Sequence, residues 1–356
     1  MRIMGLAEVF RRMGWSVCLI VPDRPSQADL TGQADRLEFV KCASYPGGPL
    51  TAFDASPFAE KLESVLRELA PDIIIAEYAW MAPVLGRVPP GVGRWVDCHD
   101  VLHERTRRFS ALGLDPWVQC TAEEESALLR YADLVICTQQ REERILRRLL
   151  PGKRIHCLLP PVGLPAGFRP YSVQSPLVIT VGSDHAGNCG IRQFVDVGWP
   201  EVVARNPASR LLVIGGISKH ITKRDSVIPV ESCDISRHYR SAAIVVCPIT
   251  VGTGIKIKMI EALRFGKAVV ATRAAAEGMP ETASPAWITT GSIRQTADEV
   301  SRLLADRGAR AELESRAFSY GRRYFSHASA VRSVRSLLCR ETVGRRKKLP
   351  RTRGHG

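Results

Sequence analysis

Aromatic residues make up only 6% of the 356-residue chain. A surface that stacks single-stranded nucleic acid bases is therefore not expected. No apolar run is long enough to span a bilayer, and the opening MRIMGLAEVFRRMGW has neither an apolar signal-peptide core nor a cleavage site. The ten cysteines never form a C-x-x-C pair, which argues against a zinc or redox framework. G-x-x-x-x-G-K-[ST] is absent, and with it the signature of P-loop NTPases. No G-x-G-x-x-G follows the first strand of either half, against a dinucleotide oxidoreductase. No G-x-S-x-G supports a serine hydrolase. No D-x-D pair follows a strand, so a metal held between carboxylates and a diphosphate is not indicated.

What is present is the composition of an ordinary globular protein, 45% hydrophobic and 24% charged. Several cysteines sit inside apolar runs (VCLI, VICT, VVCP) and read as reduced core residues, which fits a cytoplasmic location. The formal net charge is +14, and six of the Lys and Arg lie in the acid-free tail RRKKLPRTRGHG, whose composition predicts disorder. A basic balance suits nucleic acid, anionic lipid or phosphorylated substrates, and composition does not choose among them.

Apolar strands alternate with helical patterns almost throughout. The first half offers SVCLIV, LEFVK, DIIIAE, RWVDC, DLVICT and IHCLL; the second offers LVITVG, RLLVIGG, SVIPV, AIVVCP, AVVAT and AWITT. Such alternation predicts an α/β protein with parallel sheets covered on both faces. The Pro160–Pro176 stretch, with five prolines and two glycines, separates the two halves. The expected organisation is an N-terminal domain over 1–168, a C-terminal domain over 169–325, and a helix with a basic tail over 326–356. Two doubly wound, Rossmann-like domains would face a cleft at the carboxyl ends of their strands, where ligands bind. The chain opens on a helical pattern, Ile3, Leu6, Ala7, Phe10 and Met13, with no strand or turn before it. The first strand of a doubly wound domain is therefore expected to be missing, by a misplaced start or a real truncation.

The segment VGTGIKIKMIEALRFGKAVVAT places Lys256 and Lys258 where a helix begins, after a loop containing Thr253, Gly254 and Ile255. Apolar residues at 257, 260 and 263 set the helical spacing from Ile255 onward. The positive end of a helix dipole disfavours cations in the first turn, so an anion is expected there. A phosphate fits, held by backbone N–H groups and the two lysines. Glu261, three residues after Lys258, can accept hydrogen bonds from two sugar hydroxyls. The plain alternative is a surface helix with a Lys258–Glu261 ion pair.

CPITVGTGIKIKMIEALRFGKAVVATRAAAEGM resembles the donor-site segment of GT-B glycosyltransferases, the retaining group often called family 4. VITVGSDHAGNCGIRQFVDVGWPEVVARNPASRLLVIGG resembles the first strand–helix–strand of their donor domain. WVDCHDVLHERTRRF and YADLVICTQQREERIL are similar to acceptor-side segments. The resemblance implies a GT-B fold with the donor nucleotide in the C-terminal domain and the acceptor in the N-terminal domain. Glu261 matches the second glutamate of the family's E-x7-E motif, which implies ribose binding. The first, sugar-contacting glutamate falls on Thr253, and the family's diphosphate-binding Arg and Lys are absent. Gly182 ends the strand before that loop, and Ser183 and Asn188 lie near the missing positions. Lys256 and Lys258 are then expected to neutralise the diphosphate, and Val230 to contact the base through its backbone.

His99 with Asp100 ends the strand RWVDC. In the resembling enzymes a histidine here faces the donor sugar, which makes His99 and Asp100, with Glu261, the expected catalytic residues. A histidine that merely caps a strand is the alternative. His99 and His103, spaced i and i+4 beside Asp97, Asp100 and Glu104, could also hold a metal, though no distant third ligand declares itself. His185 and His220 fall in expected cleft loops.

The reading is a metal-independent, hexosyltransferase-like enzyme moving a sugar from a nucleotide diphosphate-sugar to a saccharide or lipid-linked hydroxyl. The donor is a substrate, and no cofactor is expected. The basic surface suits polysaccharide biosynthesis at the inner face of a membrane, with the protein cytoplasmic or peripheral. No nucleic acid partner is expected. The alternatives are a sugar-nucleotide epimerase of the same fold and a non-catalytic GT-B-like binding protein.

Overall fold

The computed structural model describes residues 2–23, 32, 34–41, 48–50, 53–165, 167–171, 173–231 and 234–346, with side chains to Cys339 in the last helix. The basic tail beyond Arg346, and with it most of the expected membrane-binding segment, lies outside the described residues. The opening helical pattern forms α1 (Arg2–Arg12), which buries Leu6, Ala7, Val9 and Phe10. It is followed by β1 (Cys18–Pro22), β2 (Arg36–Val40), β3 (Gly48–Pro49) and α2 (Ser56–Leu69). Then come β4 (Ile73–Glu77), β5 (Gly93–Asp97), α3 (Leu102–Ser110), β6 (Val118–Gln119) and α4 (Ala122–Leu129). β7 (Leu134–Cys137), α5 (Gln140–Leu149) and β8 (Arg154–Cys157) complete this half.

Among the described residues the N-terminal strands are parallel and fall into three ladders. β4, β5, β7 and β8 pair in that order, while β1 pairs with β2 and β3 with β6 in separate two-stranded sheets. Among the described residues β1 and β4 share no ladder. β7 is buried along its whole length, as a strand covered on both faces must be.

After the proline-rich connection the C-terminal domain starts with β9 (Leu177–Val181), α6 (Cys189–Gln193), α7 (Trp199–Arg205), β10 (Arg210–Ile214) and β11 (Val227–Val230). It continues through α8 (Ile235–Ser241), β12 (Ile244–Cys247), α9 (Ile257–Arg264), β13 (Ala268–Thr272), α10 (Arg273–Ala276) and β14 (Ile288–Thr290). Its six strands form one parallel sheet in the order β11-β10-β9-β12-β13-β14. The strand order reverses between β9 and β12, so the crevice at the carboxyl ends of these two strands is the topological switch point. α11 (Ile293–Ala305) and α12 (Arg307–Phe325) follow. α13 (His327–Arg346) then crosses back, packing Ala330, Val334 and Leu337 with Leu6, Val9 and Phe10 of α1 and with Trp95, Leu134 and Ile136. Each such fully buried apolar side chain contributes about 1.5–3 kcal/mol, so the last helix ties the two halves together.

Among the described residues no helix is long and apolar enough to cross a membrane. Of the described cysteines none is in a disulfide, and Cys98, Cys120, Cys137 and Cys247 are buried.

Candidate active site

The loop between β12 and α9 carries the cations. Gly254 adopts φ +67°, a conformation that favours glycine. A Cβ there would stand 3.2 Å from the His99 carbonyl oxygen, so this loop lies directly against the N-terminal domain. Lys256 stays extended as the N-cap, and α9 begins at Ile257, two residues later than the apolar spacing predicts. The two lysines still sit at the helix start, and the first turn holds no acid. Lys256 Nζ donates to the Thr253 and Gly254 carbonyls (2.9 and 2.7 Å). Lys258 Nζ donates to Asn188 Oδ1 at 2.6 Å. Burial depresses both ammonium groups, Lys258 to about 8. The alternative of a Lys258–Glu261 ion pair gives way to the contact with Asn188.

Glu261 is 5% exposed and accepts from Tyr239 Oη at 2.8 Å. Burial raises its carboxyl above the ordinary value. Asn188, Lys256, Lys258 and Glu261 line a cavity of about 340 Å³ at the switch point. Of the residues predicted for the donor site, Gly182, Ser183, Asn188, Thr253, Ile255, Lys256, Lys258 and Glu261 line it. Gly254 shapes the loop beside it, while Val230, at the end of β11, lies outside the lining.

Arg105 and Phe109 of the N-terminal domain form the opposite wall, and the predicted catalytic residues His99 and Asp100 lie outside the lining. His99 follows β5 with φ +57°. Its Nε2 lies 2.6 Å from Glu77 Oε2, and its ring stacks on Tyr78 at 4.0 Å between centroids. Asp100 is buried and accepts from Thr253 Oγ1 of the facing domain (2.7 Å) and from Arg105 Nη1 (3.2 Å). Burial raises the Asp100 carboxyl.

The suggested metal set around His99 and His103 is not assembled. His103 Nδ1 points to Glu125 Oε2 (2.5 Å), a carboxylate that also accepts the Leu102 and His103 backbone N–H groups at the start of α3. Donor atoms of His99, Glu77 and Asp97 do converge within 4.8 Å. Both oxygens of Asp97 are already held by the Arg2 guanidinium at 2.7 and 2.8 Å, so the positive charge at that cluster is an arginine's.

Ten further lining residues lie outside the predicted site, and three of them carry polar or aromatic groups from other elements. Arg105 and Phe109 project from α3, and His185 from the loop after β9. His185 was placed in a cleft loop by sequence, but nothing local in RTRRF marks Arg105 as facing the other domain. The domains are also joined by Arg108, whose guanidinium forks onto Glu277 at 2.7 and 2.8 Å.

Residues 175–306 match the family model for glycosyl transferases group 1, and residues 1–163 match that for the glycosyl transferase 4-like domain. No curated protein matches the sequence. Sucrose-phosphate synthase from Thermosynechococcus elongatus superimposes with a TM-score of 0.73 at 18% identity, over 95% of this chain and 92% of that one. Anabaena HepE, in a structure with UDP, gives 0.68 at 15% identity over 95% and 96% of the two chains. A glycosyltransferase from Rickettsia africae gives 0.66 at 13% over 96% and 93%. The two family matches together span most of the chain, one on each domain, and the two facing parallel α/β domains share the architecture of these structures. The chain belongs to the group 1 glycosyltransferases of the GT-B fold.

Proposed function

We propose that the protein transfers a sugar from a nucleotide diphosphate-sugar to a hydroxyl of a saccharide or lipid-linked acceptor, with retention at the anomeric carbon. The observation that carries this reading is the meeting of Lys256, Lys258 and the buried carboxylate Glu261 in one cavity at the switch point. Two cations at the positive end of α9 are unfavourable until an anion joins them, and a diphosphate supplies it. Glu261 lies one helical turn beyond Lys258, in reach of the ribose hydroxyls of the same nucleotide. Retention rests on the group resemblance. The HepE structure with UDP makes UDP the first nucleotide to test.

In this reading the lysines and the helix N-terminus stabilise charge on the leaving diphosphate without a metal, and catalysis is mostly positioning and electrostatics. His99, with Glu77 fixing its ring, orients the reacting sugar or its leaving group from the N-terminal side. An acceptor on an anionic membrane would suit the basic surplus, with the protein peripheral at the cytoplasmic face.

A thermal-shift panel with UDP, GDP, ADP and their sugar conjugates tests the donor reading. A ligand at 100 times its Kd adds about 2.7 kcal/mol to stability, which in a chain of this size raises melting by roughly a few degrees. No shift with any nucleotide would favour a non-catalytic binding protein. Conversion of a nucleotide sugar without an acceptor would favour an epimerase.

A further inference from the structure

We propose that Arg105, on the N-terminal domain, binds the diphosphate of a nucleotide seated in the C-terminal domain. The inference rests on the donor reading above and adds a residue that this reading does not use. The wall after β9 offers the cavity Gly182, Ser183, Gly187 and Asn188, with no cation among them. Asn188 is already engaged, donating to the Ser183 carbonyl (2.8 Å) and accepting from Lys258. The cavity's lysines and arginines are Lys256, Lys258 and Arg105, and Lys256 is turned back onto its own loop carbonyls.

The setting of Arg105 indicates which edge is available. Its Nε donates to the Pro116 carbonyl (2.9 Å), its Nη1 to Asp100 Oδ2 (3.2 Å), and its guanidinium lies over the Phe109 ring at 5.1 Å. Its Nη2 meets His185 Nε2. That contact is poorly matched. Gly187 N–H donates to His185 Nδ1 (2.9 Å), so Nδ1 is the acceptor nitrogen of the ring. A neutral imidazole has one acceptor and one N–H, which puts the hydrogen on Nε2, opposite the Nη2 hydrogens. Burial and the Arg105 charge both push His185 toward the neutral form. Two donors face each other in a cavity that also holds Lys256 and Lys258, and a phosphate oxygen relieves the mismatch by accepting from Arg105 Nη2 in place of His185.

On binding, the Nη2 edge of Arg105 passes from His185 to the phosphate, while Nε and Nη1 keep their contacts with Pro116 and Asp100. The anchored, forked guanidinium is suited to phosphate. Because Arg105 belongs to one domain and Lys258 to the other, the diphosphate then bridges the cleft.

Calorimetric titration of the full chain with UDP, GDP and ADP, each beside its nucleoside, tests this. Arg105→Ala should weaken the diphosphate that the wild type binds by about 10- to 100-fold, the size expected for losing a hydrogen bond to a charged group. Nucleoside affinity should stay the same, and Arg105→Lys should fall between. His185→Ala should bind the diphosphate at least as tightly as wild type. Equal diphosphate affinity in wild type and Arg105→Ala overturns the inference and leaves the donor reading standing. So does an equal loss for nucleoside and diphosphate, or a marked loss in His185→Ala. Should Arg105→Ala fail to fold, Arg105→Lys decides, and wild-type affinity in it overturns the inference. A wild type that binds no nucleoside diphosphate removes the donor reading, and this inference with it.

Discussion

Thr253 Oγ1 donates a 2.7 Å hydrogen bond to Asp100 Oδ2, tying the loop between β12 and α9 in one domain to the segment after β5 in the other. The family resemblance aligns a sugar-contacting glutamate with position 253, and this chain uses the position for an interdomain bond instead. Thr253→Glu should therefore not restore a family function. It would press a second carboxylate against buried Asp100, at a cost of roughly 3 kcal/mol. We expect a lower melting temperature and weaker donor binding than in Thr253→Val. A Thr253→Glu protein with wild-type melting and tighter donor binding would contradict this placement.

Lys258 gives a pH signature. Its folded value, lowered by burial to about 8, lies below the ordinary lysine value. Between these values the unfolded chain binds more protons, so the ligand-free protein gains stability as pH rises from 8 toward 10.5. A diphosphate prefers the charged ammonium, so its affinity should fall above pH 8, by at most about tenfold per pH unit. Lys258→Met should reduce both slopes, the remainder coming from Lys256 and Lys267, whose ammonium groups burial also depresses. A pH-independent diphosphate Kd between pH 7 and 9.5 in the wild type would place the phosphate elsewhere.

His99 occupies left-handed backbone, φ +57°, where asparagine is tolerated better than alanine. His99→Asn is thus the cleaner variant. Turnover should drop about 100-fold, in the range of a lost positioning or acid–base group, with donor Kd changed less than threefold. Unchanged turnover would make His99 a structural partner of Glu77 and Tyr78 only.

Deleting residues 345–356 removes six Lys and Arg. Binding to anionic vesicles should weaken by about 1 kcal/mol for each charge that reaches the surface, and added salt should do the same. Transfer to a soluble acceptor should persist. Vesicle binding that responds to neither change would refute an electrostatic anchor.

The alternation of apolar strands and amphipathic helices was legible because each element declares itself locally: AIVVCP, AVVAT and LVITVG are strands buried on both faces. Gly182, Ser183, Asn188 and much of the 253–261 segment line one cavity because they follow β9 and β12, adjacent strands of one sheet. The helix start was misplaced by two residues because Ile255 continues the apolar spacing while the backbone at Lys256 remains extended. What depends on how the two domains meet had no local signal. Arg105 looks like any residue of a basic helix until His185 and Asp100 stand beside it, and His103 looks like a partner for His99 until Glu125 draws it away. The division of the N-terminal strands into separate sheets likewise depends on pairing between distant segments.

The most direct measurement is donor binding by calorimetry in wild type and Glu261→Ala, using the nucleotide diphosphate-sugar that raises melting most. In the variant Tyr239 Oη retains the Lys258 carbonyl as acceptor (3.1 Å), so the fold should survive. Loss of two hydrogen bonds to a buried carboxylate should weaken the donor by about 3 kcal/mol or more, and transfer should fall below detection. Wild-type donor affinity in a folded Glu261→Ala protein would contradict the assignment of this cavity to the nucleotide sugar.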